Sequence, residues 1–260
     1  MSLSAADLEF ALTLADRADS LSMSRFRALD LVIESKPDLT PVTDADKNVE
    51  AELRHMITST FPLDAIIGEE FAQHGDSERT WIIDPIDGTK NFVRGVPVWA
   101  TLIALRNAQG VGVGVVSSPA LGRRWWALLG HGAWVSEGSD IRPLQVSNVG
   151  SLADSSFTYS DTVGWDQHQL QRLLSQTWRQ RAYGDFWSHC LVAEGAADIA
   201  AEPELALYDY AALIPIVQEA GGTVTDFNGS SLPVHDSSAH PAVLTSNSRV
   251  HSSVIELLIS

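Results

Sequence analysis

The sequence predicts a fold class of α+β in the first half followed by α/β in the second half. Two segments near the start carry apolar residues at the three- and four-residue spacing of amphipathic helices. Those residues are Leu8, Ala11, Leu12, Ala15 and Ala18, then Val49, Leu53, Met56 and Ile57. Residues 64–146 change to short apolar runs separated by Gly, Pro and Asn, which indicates a largely antiparallel sheet. After about residue 150, strand and helix patterns alternate, as in α/β proteins.

The first predicted helix runs from an N-cap at Ser4 to about Arg27, and the second ends at Pro62. Acidic residues in the first turns of the second helix suit the positive end of a helix dipole, and a solvated acidic helix start explains them equally well. They are Asp44, Asp46 and Glu50. Seven strands follow, in the segments DAIIG, WIID, PVWATLIALRN, GVGVGVVSSPA, RRWWALL, GAWVS and IRPLQV.

The second half begins with a strand near residue 156 and continues through alternating elements. We predict helices over about 165–177, 185–195 and 208–220, strands in GTVTDF and AVLTS, and a terminal helix. The boundary near 147–153 is weak in composition. We therefore predict two halves, 1–150 with the metal-binding motifs and 151–260 with the substrate-pocket residues, that form one compact unit.

Charge and composition exclude several classes of function. The formal net charge of −16 and the absence of a basic run argue against nucleic acid, since binding to a phosphate backbone requires clustered Lys and Arg. The start has no basic segment of a secretory signal, and the apolar runs are shorter than a membrane span. We therefore expect a soluble, cytoplasmic protein without membrane contact. The single cysteine, Cys190, is expected to be a core thiol.

Several common catalytic motifs are incomplete in this sequence or do not occur in it. The stretch GVGVGVVSS lacks the third glycine of a dinucleotide fingerprint, and Val alternates with Gly in it as in a strand. The patterns G-x-S-x-G, H-E-x-x-H and C-x-x-C do not occur in the sequence. Serine-hydrolase and zinc chemistries therefore lack support.

A concentration of acids stands out in GEEFAQHGDSERTWIIDPIDGTKNF, residues 68–92. We expect a strand that ends at Asp84, because Pro85 cannot continue a ladder, then a turn at Asp87 from which Thr89 starts a helix. The two carboxylates and the Ile86 carbonyl would then converge. Such oxygen ligands suit Mg²⁺, and the free N–H groups of a helix start suit a phosphate. Taken alone, these residue pairs are also common turn formers.

Further acids accompany this motif elsewhere in the chain. Glu69 and Glu70 follow a short apolar strand, and Asp209 starts a helix in YDYAALIPIVQEAGG. A carboxylate at a helix start is usually only a cap. Several carboxylates brought together repel one another and lose hydration, so they favour a bound cation.

Together, GEE, WIIDPIDGTKNF and YDYAALIPIVQEAGG resemble the motifs of the inositol monophosphatase superfamily of Mg²⁺-dependent, lithium-sensitive phosphatases. The similarity covers nearly the whole chain, and the motifs occur in the family's order. One departure is Tyr208, where the family commonly has Trp. The resemblance implies a layered αβαβα sandwich of the inositol monophosphatase type, usually a homodimer, that hydrolyses a small phosphorylated substrate.

The resemblance also implies a role for individual residues. Two or three Mg²⁺ would be bound by Glu69, Asp84, Asp87, Asp209 and the Ile86 carbonyl. Asp46 and Thr89 would orient the attacking water, and Glu70 would support the site. Lys36 matches a family lysine near the metals, although a surface lysine is a comparable interpretation. The residues that would bind the substrate include Asp87, Gly88, Thr89, Lys90 and Asp209.

Within that superfamily, the segments NFVRGVPVWA, RRWWA, RAYGDF and CLVAEGAADIAAEP most resemble the actinobacterial histidinol-phosphate phosphatases. This resemblance implies hydrolysis of L-histidinol phosphate in histidine biosynthesis, with Asp185 and Glu202 on the non-phosphate end of the substrate and Arg181 reaching it across the site. Two acids suit a cationic amine and imidazole better than a neutral polyol. Three aromatic residues could contribute or could be core: Tyr183, Phe186 and Trp187.

Other functions remain open at this point. Inositol-1-monophosphatase, fructose-1,6-bisphosphatase or another small sugar-phosphate phosphatase is the main alternative. A nucleotide 3'-phosphatase is less compatible, because no basic or adenine-stacking pocket is evident. A binding or regulatory protein would show a lost ligand or a basic patch, and neither is found in the sequence.

Overall fold

The computed structural model describes residues 3–36 and 40–260. Up to residue 150, the chain starts with two long helices that flank a small hairpin, and a sheet then follows. These elements are α1 (Ala5–Arg25), β1 (Ile33–Ser35), β2 (Pro41–Thr43), α2 (Asp44–Thr60), β3 (Ala65–Gly68), β4 (Thr80–Asp87), α3 (Thr89–Val93), β5 (Ala100–Asn107), β6 (Gly110–Ser118), β7 (Arg123–Leu128), β8 (Ala133–Glu137) and β9 (Asp140–Pro143).

Beyond residue 150, helices and strands alternate as the sequence predicts. A short 3₁₀ helix at Leu152–Asp154 precedes the first strand of this half. The elements are β10 (Ser156–Thr158), α4 (Gln167–Gln176), β11 (Arg179–Arg181), α5 (Asp185–Ala193), β12 (Ile199–Glu202), α6 (Leu207–Tyr210), α7 (Leu213–Glu219), β13 (Thr223–Thr225), β14 (Val243–Ser246) and α8 (His251–Ile259).

Two large sheets organise the described chain. The seven-stranded sheet follows sequence order from β3 to β9, with β3 parallel to β4 and every later neighbour antiparallel. The five-stranded sheet has the order β11-β10-β12-β14-β13. In it, β10 is parallel to both of its neighbours, whereas β14 is antiparallel to both of its own. The predicted antiparallel first half and α/β second half are therefore both present.

The buried side chains divide into layers that follow from strand alternation. On β3, Ile66 faces α1 and α2, whereas its neighbour Ile67 faces the opposite core, which contains α5, α6 and α7. A further core places α4 and α8 on the outer face of the five-stranded sheet. The resulting order of helices, sheet, helices, sheet and helices confirms the layered αβαβα sandwich.

Strand β4 differs from the prediction that it would end at Asp84. The strand continues through Pro85 to Asp87, but its pairing with β5 shifts between Asp84, opposite Leu102, and Asp87, opposite Ala100. An irregularity of this kind accommodates a proline, which has no N–H for the ladder. The Thr101 hydroxyl donates a hydrogen bond to the Pro85 carbonyl at 2.8 Å. The prediction of an interruption is right, but the strand resumes after it.

Two further expectations were incomplete. The predicted helix over 208–220 is two helices, α6 and α7. Pro215 lies in the first turn of α7 and has no N–H to donate to the carbonyl four residues earlier, so the helical hydrogen bonds are interrupted there. The hairpin of β1 and β2 was not predicted, because all three residues of β1 are exposed and carry no apolar alternation.

The division into halves 1–150 and 151–260 stays a prediction. None of the described helices combines the length and apolar character needed to cross a membrane.

Candidate active site

Three acids meet between the end of β4 and the start of α6. One carboxylate oxygen from each of Asp84, Asp87 and Asp209 lies within 4.8 Å of the others, and we call these residues the three-acid cluster. The irregularity in β4 brings its two aspartates to the same place. Asp209, the third residue of α6, is oriented by a hydrogen bond from the Ala206 N–H to its Oδ2 at 2.8 Å.

The three acids make one another hard to ionise. Burial, followed by the charges of Glu69 and its cluster neighbours, raises the pKa of Asp84 well above its ordinary value. Burial and the nearby Asp185 and Asp209 raise the pKa of Asp87 in the same way. Burial and Glu69 raise the pKa of Asp209 to about 7. Such an environment stabilises a bound cation strongly, because the cation removes the mutual repulsion.

The cluster fits a hard divalent metal ion. Across residues 3–36 and 40–260, no Lys or Arg forms an ion pair with any of its three carboxylates. All the side-chain donors are oxygens, which Mg²⁺ prefers over nitrogen or sulfur ligands. The cluster could therefore hold a metal ion of this type.

Glu69 and Glu70 lie beside the cluster and pair with Lys36. The Lys36 ammonium is 2.6 Å from Glu69 Oε1 and 2.7 Å from Glu70 Oε1. Burial alone would lower the pKa of Lys36, but its hydrogen bonds to these two acids raise it. Burial raises the pKa of Glu69 to about 7. Glu69, predicted to be a metal ligand, is thus near the three acids, but its described partner is Lys36.

A buried glutamate in α2 holds this acidic loop in place. Glu50 is fully buried, and its Oε2 accepts a hydrogen bond from the Glu70 N–H at 2.7 Å. A Cβ on Gly68 would lie only 2.0 Å from Glu50 Oε1, so the glycine before the two glutamates permits this close approach. Asp46 is also fully buried. The interpretation of Asp46 and Glu50 as a solvated helix start is therefore wrong.

Asp46 and Thr89 are brought together from distant segments. Asp46 Oδ2 accepts two hydrogen bonds from Thr43, one from its N–H at 2.8 Å and one from its hydroxyl at 2.5 Å. The other carboxylate oxygen, Oδ1, faces Thr89. The Thr89 hydroxyl lies 3.2 Å from Asp46 Oδ1 and 2.9 Å from the Ile86 carbonyl oxygen. Because a hydroxyl has one hydrogen, it can donate to only one of these acceptors at a time.

The start of α3 offers backbone donors beside the acids. Gly88 is the N-cap with φ of +82°, a left-handed conformation that glycine adopts without strain. The N–H groups of Gly88, Thr89 and Lys90 donate no hydrogen bond to another described residue. All three residues line a cleft of about 720 Å³ together with Glu69, Asp87 and Asp209.

Two further acids line the same cleft. The Asp185 carboxylate accepts a hydrogen bond from the Asn91 amide at 3.2 Å, and Glu202 accepts one from the Ser160 hydroxyl at 2.7 Å. Burial raises the pKa of Asp185 to about 6, against the opposing effect of the Lys90 charge. Burial raises the pKa of Glu202 to about 8. This part of the cleft would attract a cationic group.

The remaining predicted residues have different environments. Tyr183 and Phe186 both line the cleft, but Phe186 is almost fully buried, and its ring centroid lies 5.9 Å from that of Trp125. Trp187 packs on the core with its ring 5.1 Å from that of Tyr183. Arg181 is exposed, does not line the cleft, and donates to the Gln180 carbonyl at 2.7 Å. Its predicted contact with the substrate stays a prediction.

Sequence reasoning missed three residues that organise the site: Asn91, Ser160 and Glu50. Asn91 follows Lys90 directly in the DGTKN stretch, so its place beside the acids could have been proposed from that motif. Ser160 and Glu50 belong to no recognised motif. Their roles depend on partners 42 and 20 residues away in the chain, respectively, and no local signal indicates such contacts.

Comparison with known proteins supplies independent information. A histidinol-phosphatase from Streptomyces coelicolor is 50% identical over 97% of this chain and 96% of its own length. The histidinol-phosphatase from Mycobacterium tuberculosis is 51% identical over 97% of both chains. The solved IMPase from Thermotoga maritima superposes with a TM-score of 0.86 at 30% identity, over 97% of this chain and 96% of the other. The model of the inositol monophosphatase family matches residues 5–259, and this phosphatase chain belongs to that family.

Proposed function

We propose that this enzyme hydrolyses L-histidinol phosphate to L-histidinol and phosphate in histidine biosynthesis. The observation that supports the proposal is the pair of acids, Asp185 and Glu202, in the cleft that is also lined by Asp87 and Asp209 of the three-acid cluster. Neither acid forms an ion pair with a Lys or Arg in the part of the chain that the structure describes. The identity of about half of the sequence with two histidinol-phosphatases supports the same substrate.

The chemistry of the substrate explains the two acids. Histidinol phosphate carries a protonated amine and a titratable imidazole, so each can donate a charge-assisted hydrogen bond to a carboxylate. Inositol phosphate offers only neutral hydroxyls beyond its phosphate. A buried acid that faces a hydroxyl must either stay protonated or lose hydration without a compensating charge. Asp185 and Glu202 therefore favour the cationic substrate.

The metal ligands are proposed to be Glu69, Asp84, Asp87, Asp209 and the Ile86 carbonyl, with two or three Mg²⁺ in the active enzyme. Bound Mg²⁺ lowers the pKa of a coordinated water and neutralises phosphate oxygens. The Lys36 ammonium donates a hydrogen bond to Glu69 Oε1, 2.6 Å away, which leaves Glu69 Oε2 for a metal. Glu70 shares the same lysine, which is consistent with the supporting role proposed for Glu70.

The water is proposed to be oriented by Thr89 and Asp46. A water that donates to Thr89 Oγ1 allows the Thr89 hydrogen to point at Asp46 Oδ1, 3.2 Å away. Burial raises the pKa of Asp46, so this carboxylate is disposed to accept a proton. As the water oxygen bonds to phosphorus, the water's proton moves towards Thr89 and Asp46. The ester oxygen leaves with the electron pair of the broken P–O bond and takes up a proton from solvent water to give L-histidinol.

The phosphate is proposed to lie against Gly88, Thr89 and Lys90. Their N–H groups have no acceptor among the described residues, so they can bond phosphoryl oxygens without breaking an existing hydrogen bond. The exposed Lys90 ammonium adds a positive charge at the same place. We also propose that the enzyme is a cytoplasmic homodimer, as the family resemblance implies. Sedimentation of the purified protein would test the dimer.

A substrate comparison tests the proposal directly. The Mg²⁺-loaded enzyme should show a kcat/KM for histidinol phosphate that is at least about tenfold higher than for inositol 1-phosphate or fructose 1,6-bisphosphate. Higher kcat/KM for inositol 1-phosphate would make inositol monophosphatase the function instead. Treatment with EDTA should abolish hydrolysis of all three substrates, and added Mg²⁺ should restore it.

A further inference from the structure

Ser160, two residues after β10, connects the two acids proposed to recognise the substrate. Its Oγ accepts a hydrogen bond from the Asp185 N–H at 2.9 Å and donates one to Glu202 Oε1 at 2.7 Å. The Asp185 N–H can only donate, so a lone pair of Ser160 Oγ is used to accept this hydrogen bond. The single hydrogen of the hydroxyl then remains for Glu202 Oε1.

The backbone at Asp185 depends on such support. Asp185 has φ of +51°, in the left-handed region that non-glycine residues rarely occupy. Its own N–H is bound by Ser160, and the next N–H, of Phe186, donates to Asp87 Oδ2 at 2.6 Å. Two successive hydrogen bonds thus hold this turn, one to the three-acid cluster and one to Ser160.

Packing and a second hydrogen bond fix the same region. A Cβ on Gly184 would lie 3.2 Å from both Cα and Oγ of Ser160, so the two backbones approach closely. The Asn91 amide holds the Asp185 carboxylate while it also donates to the Val98 carbonyl at 2.9 Å. Asp185 is therefore fixed through its side chain by Asn91 and through its backbone by Ser160. Glu202, on β12, reaches this assembly through the Ser160 hydroxyl.

We propose that Ser160 is a positioning residue that sets the separation of the Asp185 and Glu202 carboxylates, and so selects a substrate with two cationic groups over a neutral polyol phosphate. The inference rests on the proposed function, because it assumes that these two acids contact the amine and the imidazole. Ser160 itself need not touch the substrate. It acts by keeping two acids from different elements, α5 and β12, in one arrangement.

The test is Ser160→Ala in the full-length, Mg²⁺-loaded enzyme. The ratio of kcat/KM for histidinol phosphate to that for inositol 1-phosphate should fall about tenfold, the equivalent of one hydrogen bond to a charged group. The loss should lie mainly in a higher KM for histidinol phosphate. Both constants for inositol 1-phosphate should change less than about threefold, because the phosphate and metal contacts are shared.

A double-variant cycle separates this role from a general structural one. In a Glu202→Gln background, where the charged partner is absent, adding Ser160→Ala should change the ratio less than about threefold. A full tenfold loss in that background would overturn the inference. Ser147→Ala is the matched control, because Ser147 also donates to a carboxylate, that of Asp198, and does not line the cleft. It should leave the substrate ratio unchanged.

The two possible failures are distinguishable. If the wild-type enzyme does not prefer histidinol phosphate, the proposed function fails, and this inference fails with it. If the wild type does prefer histidinol phosphate but Ser160→Ala keeps the wild-type ratio, the inference alone is overturned.

Discussion

The starts of α1 and α6 have the same local structure but different surroundings. Asp7 is the third residue of α1, and its Oδ2 accepts a hydrogen bond from the Ser4 N–H at 2.8 Å. Asp209 is the third residue of α6, and its Oδ2 accepts one from the Ala206 N–H, also at 2.8 Å. Each is therefore a helix cap of the same geometry. A carboxylate in this position also benefits from the helix dipole.

The side chains that surround Asp7 and Asp209 carry opposite charges. Asp7 lies 2.5 Å from the Arg79 guanidinium. Burial alone would raise the pKa of Asp7, but Arg79 and the hydrogen bonds from Ser4 together hold it below its ordinary value. Asp209 faces Asp84 and Asp87 instead, and burial together with Glu69 raises its pKa to about 7. A buried acid that is paired with a cation of the same chain therefore stabilises the fold. A buried acid among other acids leaves a charge imbalance that an external cation can correct.

The largest expected effect comes from making the same substitution at both positions. Asp209→Asn should reduce kcat/KM on the order of 10³-fold or more, since it removes a proposed ligand charge with little change in volume. Asp7→Asn, the matched control, should keep activity within about threefold. Steady-state kinetics at saturating Mg²⁺ measures both. Near wild-type turnover by Asp209→Asn would show that the metal assignment is wrong.

A smaller loss is expected from Thr89→Ala. It removes the hydroxyl next to Asp46 but leaves the three-acid cluster intact, so kcat should fall by roughly 10². The Mg²⁺ dissociation constant, measured by calorimetry, should stay within about threefold of the wild-type value. A comparable loss of Mg²⁺ affinity would contradict the separation between the acids proposed to bind metal and the residues proposed to orient water.

Asp185→Asn should change selectivity more than turnover. The variant leaves a cationic group of histidinol phosphate without its charged partner, at a cost of about 1.5–3 kcal/mol. The ratio of kcat/KM for histidinol phosphate to that for inositol 1-phosphate should fall by roughly ten- to a hundredfold. A general defect cancels in this ratio, because both substrates share the phosphate and the metals. An unchanged ratio would rule out the recognition role of Asp185.

The smallest effects concern the pH dependence of stability without metal. A carboxylate with a raised folded pKa stabilises the fold at low pH, and this contribution is lost as pH rises through the folded pKa. In EDTA, the wild type should therefore lose stability relative to Asp209→Asn as pH rises from about 4 to about 8, around the folded pKa of about 7. Urea unfolding at several pH values measures the difference.

Asp7→Asn should show the opposite sign. Because the pKa of Asp7 is lowered, its contribution is present above its unfolded pKa and is lost as pH falls through the lower folded value. The variant should be about 1–3 kcal/mol less stable than the wild type at pH 7, and this difference should shrink below about pH 4. If both variants changed in the same direction with pH, the contrast between the two helix starts would be wrong.

Much of this site is predictable from short motifs. The acids of β4, the turn at Gly88 and the start of α3 occupy one continuous stretch, so local turn and cap chemistry is enough to indicate them. The continuation of β4 beyond Pro85 is not predictable in this way, because it depends on the pairing with β5. The burial of Glu50 was not predicted either, because a solvated helix start was one interpretation of this residue. Its burial depends on the backbone of Glu70, 20 residues later.

The sequence by itself determined the helix caps, the strand alternation and the concentration of acids in residues 68–92, because these depend on residues close together in the chain. Only the tertiary structure decided which capping aspartate faces a cation and which faces other acids. Arg79 reaches Asp7 across 72 residues of chain, and Phe186 reaches Asp87 across 99. Charges act through space over a few ångströms, so their effect depends on which distant segments the folded layers bring together.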